Sequence, residues 1–504
     1  MSTGARPNVV LFVTDQARAK DTGYWGNPLI RTPNTDLVAA QGAGLRWCFV
    51  QNPVSTPSRV AMASGWYCHV NGHRTMHHML RRDEPNLLRY FKEAGYYVWW
   101  GGKNDMLNEQ VIPLSCHERV VGTGGRETVS EGPWQPGDRL YHTFLWGEMP
   151  ENFGPSLSDD YVAQQAAEFI TEPPQEPFFM LVNQTFPHPP YAVAEPYFSM
   201  YSREQVPFPI RPPENFAGKP KILQMVHQRM RMDEVSDAEL REIVAVYWGM
   251  ITKTDRNLGW VLEALQDSGR WDNTVIVVTS DHGDFAGDYQ STEKMQNTFE
   301  DCLTNVPLAM RVPGCEPLGK PAEALVEMID LLPTLAEACG VELGHTHFGK
   351  SLLPVLRGDT DAHREYVFSE GGALKDEVHT HETDRPHENI YWSRPALQFN
   401  QPEVHGKAVM VRSHEWKYVR RLYDTDELYD LKRDPDEVHN LIADPAYEGV
   451  IAEMTAVLAD WFIETGDEVP WRWDLRTSKE PHPEWSAAAA RHGFVSDAEA
   501  EPGG

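Results

Sequence analysis

The stretch "NTVIVVTSDHGD", Asn273 to Asp284, decides the fold. An unbroken apolar run passes directly into Ser280, Asp281 and His282. A strand with one face in water alternates apolar and polar residues, whereas an unbroken run suits a strand covered on both faces, as in a parallel sheet between helices. Three other stretches share this texture: "NVVLFVTD" (Asn8 to Asp15), "GYYVWWGGK" (Gly95 to Lys103) and "PFFMLVNQTFPHPPY" (Pro177 to Tyr191). Helical patterns lie between them. "EPNLLRYFKEAG" (Glu84 to Gly95) and the long segment Asp237 to Gly269 both have helical apolar spacing and stop at glycine. Strands alternating with helices predict an α/β domain with a mostly parallel central sheet.

The polar residues closing these runs carry the chemistry. In open α/β sheets ligands bind beyond the carboxyl ends of the strands. Those ends hold Asp15-Gln16, Lys103-Asn104-Asp105, His188 and Asp281-His282. Each has a plainer reading alone: an aspartate after a strand is often a helix cap or turn residue, and "PHPPY" can be a rigid loop. Lys294 by itself reads as a solvated charge, and Arg59 as a salt-bridge partner on a helix. Together they place acids, bases and metal-type donors at four strand ends.

The chain has 504 residues, 41% hydrophobic and 24% charged, enough for one large domain and a smaller one. A formal net charge of −29 argues against nucleic acid or an anionic membrane as partner, but leaves room for a locally positive pocket that takes a small anion. Six scattered cysteines without a CxxC pair favour neither a zinc site nor a disulfide framework. With no leader-like start and no run of 18 apolar residues, the expectation is a soluble cytoplasmic enzyme. We expect residues 1–365 to form the α/β domain. Residues 366–474, where the polar loop "HTHETDRPHENIYW" (His379 to Trp392) gives way to strand-like "KAVMVRSHEWKYVRRL" and a helix near Tyr447 to Thr465, should form a smaller α+β domain. Residues 475–504 read as a loosely ordered tail.

One more stretch bears on chemistry. "NPVSTPSRVAMASGWY" (Asn52 to Tyr67) sets Ser55 ahead of an apolar helical run, with Pro57 at its first turn. Ser55 then lies at a helix N-terminus, where free N–H groups favour an anion, and Arg59 follows four residues on. Transfer of a sulfuryl or phosphoryl group needs cations and a metal converging on its non-bridging oxygens. Carboxylate, amide-oxygen and imidazole donors suit Ca²⁺, with Mn²⁺ or Mg²⁺ as alternatives, and two lysines in the same pocket argue for one metal rather than two.

From residue 7 to about 470 the chain resembles the sulfatases of the alkaline phosphatase superfamily. "STPSR" followed by "ASGWY" matches the sulfatase signature in its serine form. "VTSDHGDFAGDYQSTEKMQNTFEDCLTNVPLAMRVPG" (Val278 to Gly314), "MIDLLPTLAEACG" and "ELYDLKRDPDEVHNL" resemble later hallmarks in family order. The resemblance implies an alkaline-phosphatase-like fold and hydrolysis of a small anionic sulfate ester, sugar-linked among the candidates. It implies that a maturase oxidises Ser55 to formylglycine, and that Asp15, Gln16, Asp281 and His282 hold the metal. Arg59, Lys103 and Lys294 would hold the modified residue and the sulfate, and His188 would face the leaving group. Oligomeric association is compatible with the resemblance.

Three departures keep other readings open. Asp15-Gln16 stands where many members have paired aspartates, and an Asp-Gln pair resembles the phosphonate monoester hydrolases, which cleave phosphodiesters and phosphonates. "GKND" replaces the usual Gly-Lys-Trp-His, so Asp105 occupies the place of a histidine and becomes a candidate base. Ser55 replaces cysteine; left unoxidised, it offers no second hydroxyl to expel the product. The alternatives are therefore a phosphodiester or phosphonate monoester hydrolase and a catalytically silent anion-binding protein. Of the histidines of "HVNGHRTMHHML", at least one is a candidate to line the pocket and none is read as a metal ligand, while those of the His379 to His387 loop are read as plain loop residues, with substrate contact as the lesser alternative.

Overall fold

Eight strands form the central sheet: β1 (Asn8–Asp15), β2 (Ala43–Phe49), β3 (Tyr97–Gly102), β4 (Glu118–Val120), β6 (Phe178–Pro187), β8 (Thr274–Ser280), β9 (Asn305–Arg311) and β10 (Ala322–Glu327). Two short strands, β5 (Leu145–Glu148) and β7 (Tyr191–Val193), pair separately. These come from a computed structural model describing residues 6–122, 132–151, 153–175 and 177–469. The sheet order is β10-β2-β9-β8-β1-β6-β3-β4, and only β9 runs antiparallel to its neighbours. The 475–504 tail lies outside the described residues.

The period of two along β1 separates two apolar layers. Val9, Leu11 and Val13 pack with Val60 and Met62 of the Ser55–Ser64 helix and with Leu331, Leu332 and Leu335 on one face. Val10 and Phe12 face the other way, against Val162 and Ala166 of the Gly154–Thr171 helix and Leu258, Val261 and Leu262 of the Asp237–Asp267 helix. With both faces covered, every residue of β1 and β8 is buried, which is why their sequences are unbroken apolar runs. The Asp237–Asp267 helix starts at a reciprocal cap: Ser236 accepts from the Glu239 N–H, and the Glu239 carboxylate accepts from the Ser236 N–H.

The C-terminal part adds an antiparallel sheet of β11 (Val367–Gly371), β12 (Ala408–Arg412), β13 (Trp416–Arg421) and β14 (Glu427–Asp430). Met454, Leu458 and Trp461 of the Glu448–Thr465 helix close its apolar face against Phe368, Val411 and Tyr418. Buried ion pairs tie this sheet to the larger one: Asp301 accepts from Arg412 and Lys417, and Lys417 also pairs with Glu437. No helix among the described residues is long and apolar enough to cross a membrane.

Candidate functional site

Beyond the carboxyl ends of β1, β3, β6 and β8, side chains from five segments converge. Asp15 is the last residue of β1, and Asp281 and His282 follow β8 directly. Two glycines let the segments close. A Cβ at Gly102, at the end of β3 with φ +88°, would lie 1.7 Å from the Asn183 carbonyl oxygen of β6. One at Gly283 would lie 1.9 Å from the Cys302 carbonyl oxygen. Gln16 itself takes a positive φ of 69°, turning its N–H onto Asp281 Oδ1 at 3.1 Å.

Ser55 opens a helix that is buried over its whole length. The helix starts at Ser55, so Pro57 is its third residue rather than its first. That position is still within the turn whose N–H groups have no intrahelical acceptor, so proline removes nothing there. Gly65, in the left-handed conformation, ends the helix. Ser58 Oγ donates to the Asp281 carbonyl, fixing the helix against the β8 turn. Ser55 Oγ lies 3.1 Å from His282 Nε2. Because His282 Nδ1 bonds the Gly283 carbonyl at 2.8 Å, Nδ1 carries the proton and Nε2 presents its lone pair towards Ser55. Burial holds His282 below its ordinary pKa, keeping it neutral.

Asp15, Asp281 and His282 each aim one donor atom into a common space, all within 4.8 Å of one another. Asp15 Oδ1 is buried with no hydrogen-bond partner among the described residues, as expected of a carboxylate oxygen shaped for a cation. The three residues therefore fit a divalent ion. Gln16 adjoins the group, but its amide oxygen accepts from Lys294 Nζ at 2.6 Å and its Nε2 donates to Asp284 at 2.5 Å.

Cations surround this point. Arg59 donates Nε to Asp281 at 2.8 Å and Nη2 to Asp15 at 3.4 Å, while its buried Nη1 has no partner among the described residues. Lys103 Nζ bonds Asp15 Oδ2 at 2.5 Å and Asp105 Oδ2 at 2.9 Å. Burial alone would lift the Asp15 carboxyl, but the basic groups around it, Lys103 foremost with His188, Arg59 and Lys294 behind it, outweigh burial and hold it well below its ordinary range. Asp105 is likewise kept ionised by Lys103 against burial, at a positive φ of 43°. Lys294 Nζ reaches His188 Nε2 at 3.1 Å and Glu293 at 3.0 Å. His188 Nδ1 donates to the Pro189 carbonyl at 2.6 Å, so Nε2 is an acceptor. Burial, with Lys294 beside it, pushes His188 down to about 3, and an anion bound next to Nε2 acts in the opposite direction.

All ten residues singled out in the sequence thus fall in one region. Four that were not singled out belong to it as well. Buried Asp284 accepts from Gln16, from Tyr191 Oη at 2.6 Å and from the Ala286 N–H, and burial lifts its carboxyl to about 7. Glu293 is held at about 2 by Lys294 and Arg394 despite burial. Arg394 donates to Glu293 at 2.7 Å and to the Lys294 carbonyl at 2.8 Å, and the Tyr391 ring lies tilted against His188, 6.4 Å between centroids. Asp284 and Glu293 sat inside quoted motifs, each within two residues of a chosen one, while Tyr391 and Arg394 come from the C-terminal part and only folding brings them here. Two of the histidines after the Ser55 helix are tied into packing instead: His69 bonds Glu370 and Thr465, and His73 bonds Glu84 and the His78 carbonyl.

The chain is similar to known proteins over most of its length. Residues 7–341 match the Sulfatase family profile, and residues 370–463 match the profile described as N-sulphoglucosamine sulphohydrolase, C-terminal. The chain is 27% identical to a Delta 4,5-hexuronate-2-O-sulfatase of Bacteroides thetaiotaomicron, over 92% of this chain and 90% of that one. It is 26% identical to the multifunctional alkaline phosphatase superfamily protein PehA of Trinickia caryophylli, over 92% and 96%. The crystal structure of a phosphonate monoester hydrolase of Agrobacterium radiobacter superposes with a TM-score of 0.73 at 23% identity, covering 91% of this chain and 96% of that one.

Proposed function

The chain belongs to the sulfatase family, and on that premise we propose that it is a metal-dependent sulfuric ester hydrolase whose nucleophile is formylglycine made from Ser55. One observation carries this reading: Ser55 Oγ lies at hydrogen-bond distance from His282 Nε2, at the edge of the buried Asp15, Asp281 and His282 group. That group would hold the metal, which would withdraw charge from a sulfate oxygen and lower the pKa of the hydroxyl it binds. Two carboxylates and one imidazole suit Mn²⁺ at least as well as Ca²⁺ or Mg²⁺. Hydrated formylglycine supplies two hydroxyls, one to attack sulfur and one whose deprotonation expels sulfate and restores the aldehyde.

The chain's own residues do the rest. Lys103, bonded to Asp15, and Lys294, bonded to Gln16, are the cations placed to neutralise the non-bridging oxygens. The free Nη1 of Arg59 is a buried donor available to the modified side chain. Ionised Asp105 is an acceptor for a formylglycine hydroxyl proton. His188 stands beside Lys294, where an alkoxide would leave. The alcohol we propose is a sugar hydroxyl, supported by the sulfated-sugar enzymes among the relatives.

A second reading, phosphodiester or phosphonate monoester hydrolysis, is favoured by Gln16 and Asp105, which depart from the sulfatase pattern, and by the PehA relative. Two measurements decide. Mass spectrometry of the Ser55 peptide from the native host should show a residue lighter by two hydrogens; an unmodified peptide in an active preparation overturns the formylglycine step. Parallel assays of an aryl sulfate, a phosphodiester and a phosphonate should rank the sulfate first. A higher kcat/KM for the phosphonate selects the second reading, and anion binding without turnover selects a silent binding protein.

A further inference from the structure

The pocket has a wall outward of His188 that the catalytic reading leaves unused. Tyr391 packs its ring 6.4 Å from the His188 ring and 5.0 Å from that of Phe144. Among the described residues its hydroxyl is held only by a 3.5 Å bond to the Pro189 carbonyl, leaving it able to donate elsewhere. Arg385 lies over this ring, its Cζ 5.5 Å from the centroid. The guanidinium therefore sits one aromatic ring further from the anion site than His188.

Arg385 is unusual for this chain. Acidic residues outnumber Lys and Arg by 74 to 45, and the nearby Arg394 is saturated by Glu382 and Glu293. Yet Arg385, half-buried and flanked in sequence by the exposed Asp384 and Glu388, pairs with no carboxylate among the described residues. Its one hydrogen bond is a 3.4 Å contact to Asn389 Oδ1, an oxygen that already accepts from the Tyr391 N–H. A guanidinium placed this way keeps most of its donors for the oxygens of a carboxylate or sulfate. The aromatic wall continues through Trp392, with Arg229 over it at 5.0 Å and His387 and His142 against it.

We propose that Arg385 and Tyr391 form a subsite for a second anionic group on the leaving alcohol, so that the substrate is a ring-shaped ester carrying a carboxylate or a further sulfate besides the sulfate cleaved. The subsite rests on the sulfate-ester reading for its placement. Tyr391 gives the ring a flat face and a hydroxyl donor, and Arg385 takes the remote charge.

The test compares the full chain with its Arg385→Ala, Arg385→Lys and Tyr391→Phe variants on four esters: para-nitrophenyl sulfate, a neutral hexose monosulfate, a uronic acid monosulfate and a hexose disulfate. Arg385→Ala should lower kcat/KM roughly 10- to 100-fold more for a doubly anionic ester than for the two singly anionic ones, mostly through KM. Whichever of the uronate and the disulfate shows this loss identifies the second anion. Arg385→Lys should recover part of it, because a point charge replaces the fork. Tyr391→Phe should cost the same ester less than Arg385→Ala does. Equal losses on all four esters, or no loss on any, overturn the subsite. Should the wild type hydrolyse none of them, the sulfate-ester reading falls separately. Calorimetry of free glucuronate and of inorganic sulfate then reads the subsite: weaker binding of either to Arg385→Ala supports it, and unchanged binding of both overturns it.

Discussion

The two ends of the pocket are built differently. At the anion end, Asp15, Ser55, Arg59, Asp281 and His282 sit on strand ends and a buried helix, and each is at most 1% exposed. Their polar atoms are tied to one another: Arg59 bridges Asp15 and Asp281, and Ser58 anchors the nucleophile helix to the Asp281 backbone. At the leaving-group end, His188, Tyr391 and Arg385 sit on loops, and among the described residues the Tyr391 hydroxyl and the Arg385 guanidinium make only long contacts, of 3.5 and 3.4 Å. The difference teaches where each kind of specificity resides. A charge developing on sulfate oxygens needs donors already fixed, since any reorganisation subtracts from their effect. An alcohol that varies between substrates is met by loops, which can change without disturbing the sheet.

The comparison is broken most directly at the rigid end. Asp281→Ala removes one of the proposed metal donors and leaves buried Arg59 without its shorter ion pair. It should abolish metal binding, read by elemental analysis, and lower kcat/KM by about 10³-fold or more. Near-wild-type activity with metal still bound would refute the assignment. Lys294→Ala should cost about 10²- to 10³-fold on every sulfate ester, because it acts on the anion common to them all. His188→Ala should cost about 10²-fold on alkyl sulfates and distinctly less on para-nitrophenyl sulfate, whose leaving group needs little help from a proton. A loss independent of the leaving group would move His188 to the anion end.

The smallest effect concerns stability and separates a site histidine from a packing one. His345 donates Nε2–H to the Ser64 carbonyl at 2.7 Å and stands 2.8 Å from Tyr90 Oη, at the far end of the Ser55 helix. Burial lowers it from 6.5 to about 4. Between those values the unfolded chain takes up a proton that the folded chain refuses. Its contribution is therefore complete above about pH 6.5 and is lost as the pH falls towards 4, by at most roughly 3 kcal/mol. His345→Gln should flatten the fall of Tm between pH 6.5 and 4, with little effect on activity at neutral pH; an unchanged slope would refute the assignment.

Much of this was legible in the sequence because the site lies where the signals are strongest. "NVVLFVTD" is β1 residue for residue, and "TVIVVTS" is β8. The motif residues after them are neighbours in space because parallel strands bring their carboxyl ends together. Three strands were less visible. β2 contains Arg46, β9 contains Pro307, and β10 begins "AEA", so none shows a clean apolar run. They are strands because an existing sheet accepts their backbone, a tertiary effect that overrides local preference.

What the sequence determined by itself was the α/β order, the strand-end donors and the motif from which Ser55 is proposed as the reacting position, since each depends on local pattern or on residues a few places apart. Only the tertiary structure decided which way Gln16 points, that Asp284 and Glu293 share the pocket, and that Tyr391, Arg385 and Arg394 reach it from more than 90 residues beyond Lys294. The physical reason is reach. Periodicity and motif spacing report on neighbours along the chain, whereas the leaving-group wall is assembled by packing the C-terminal part against the sheet, and no local pattern records which loop that packing brings to His188.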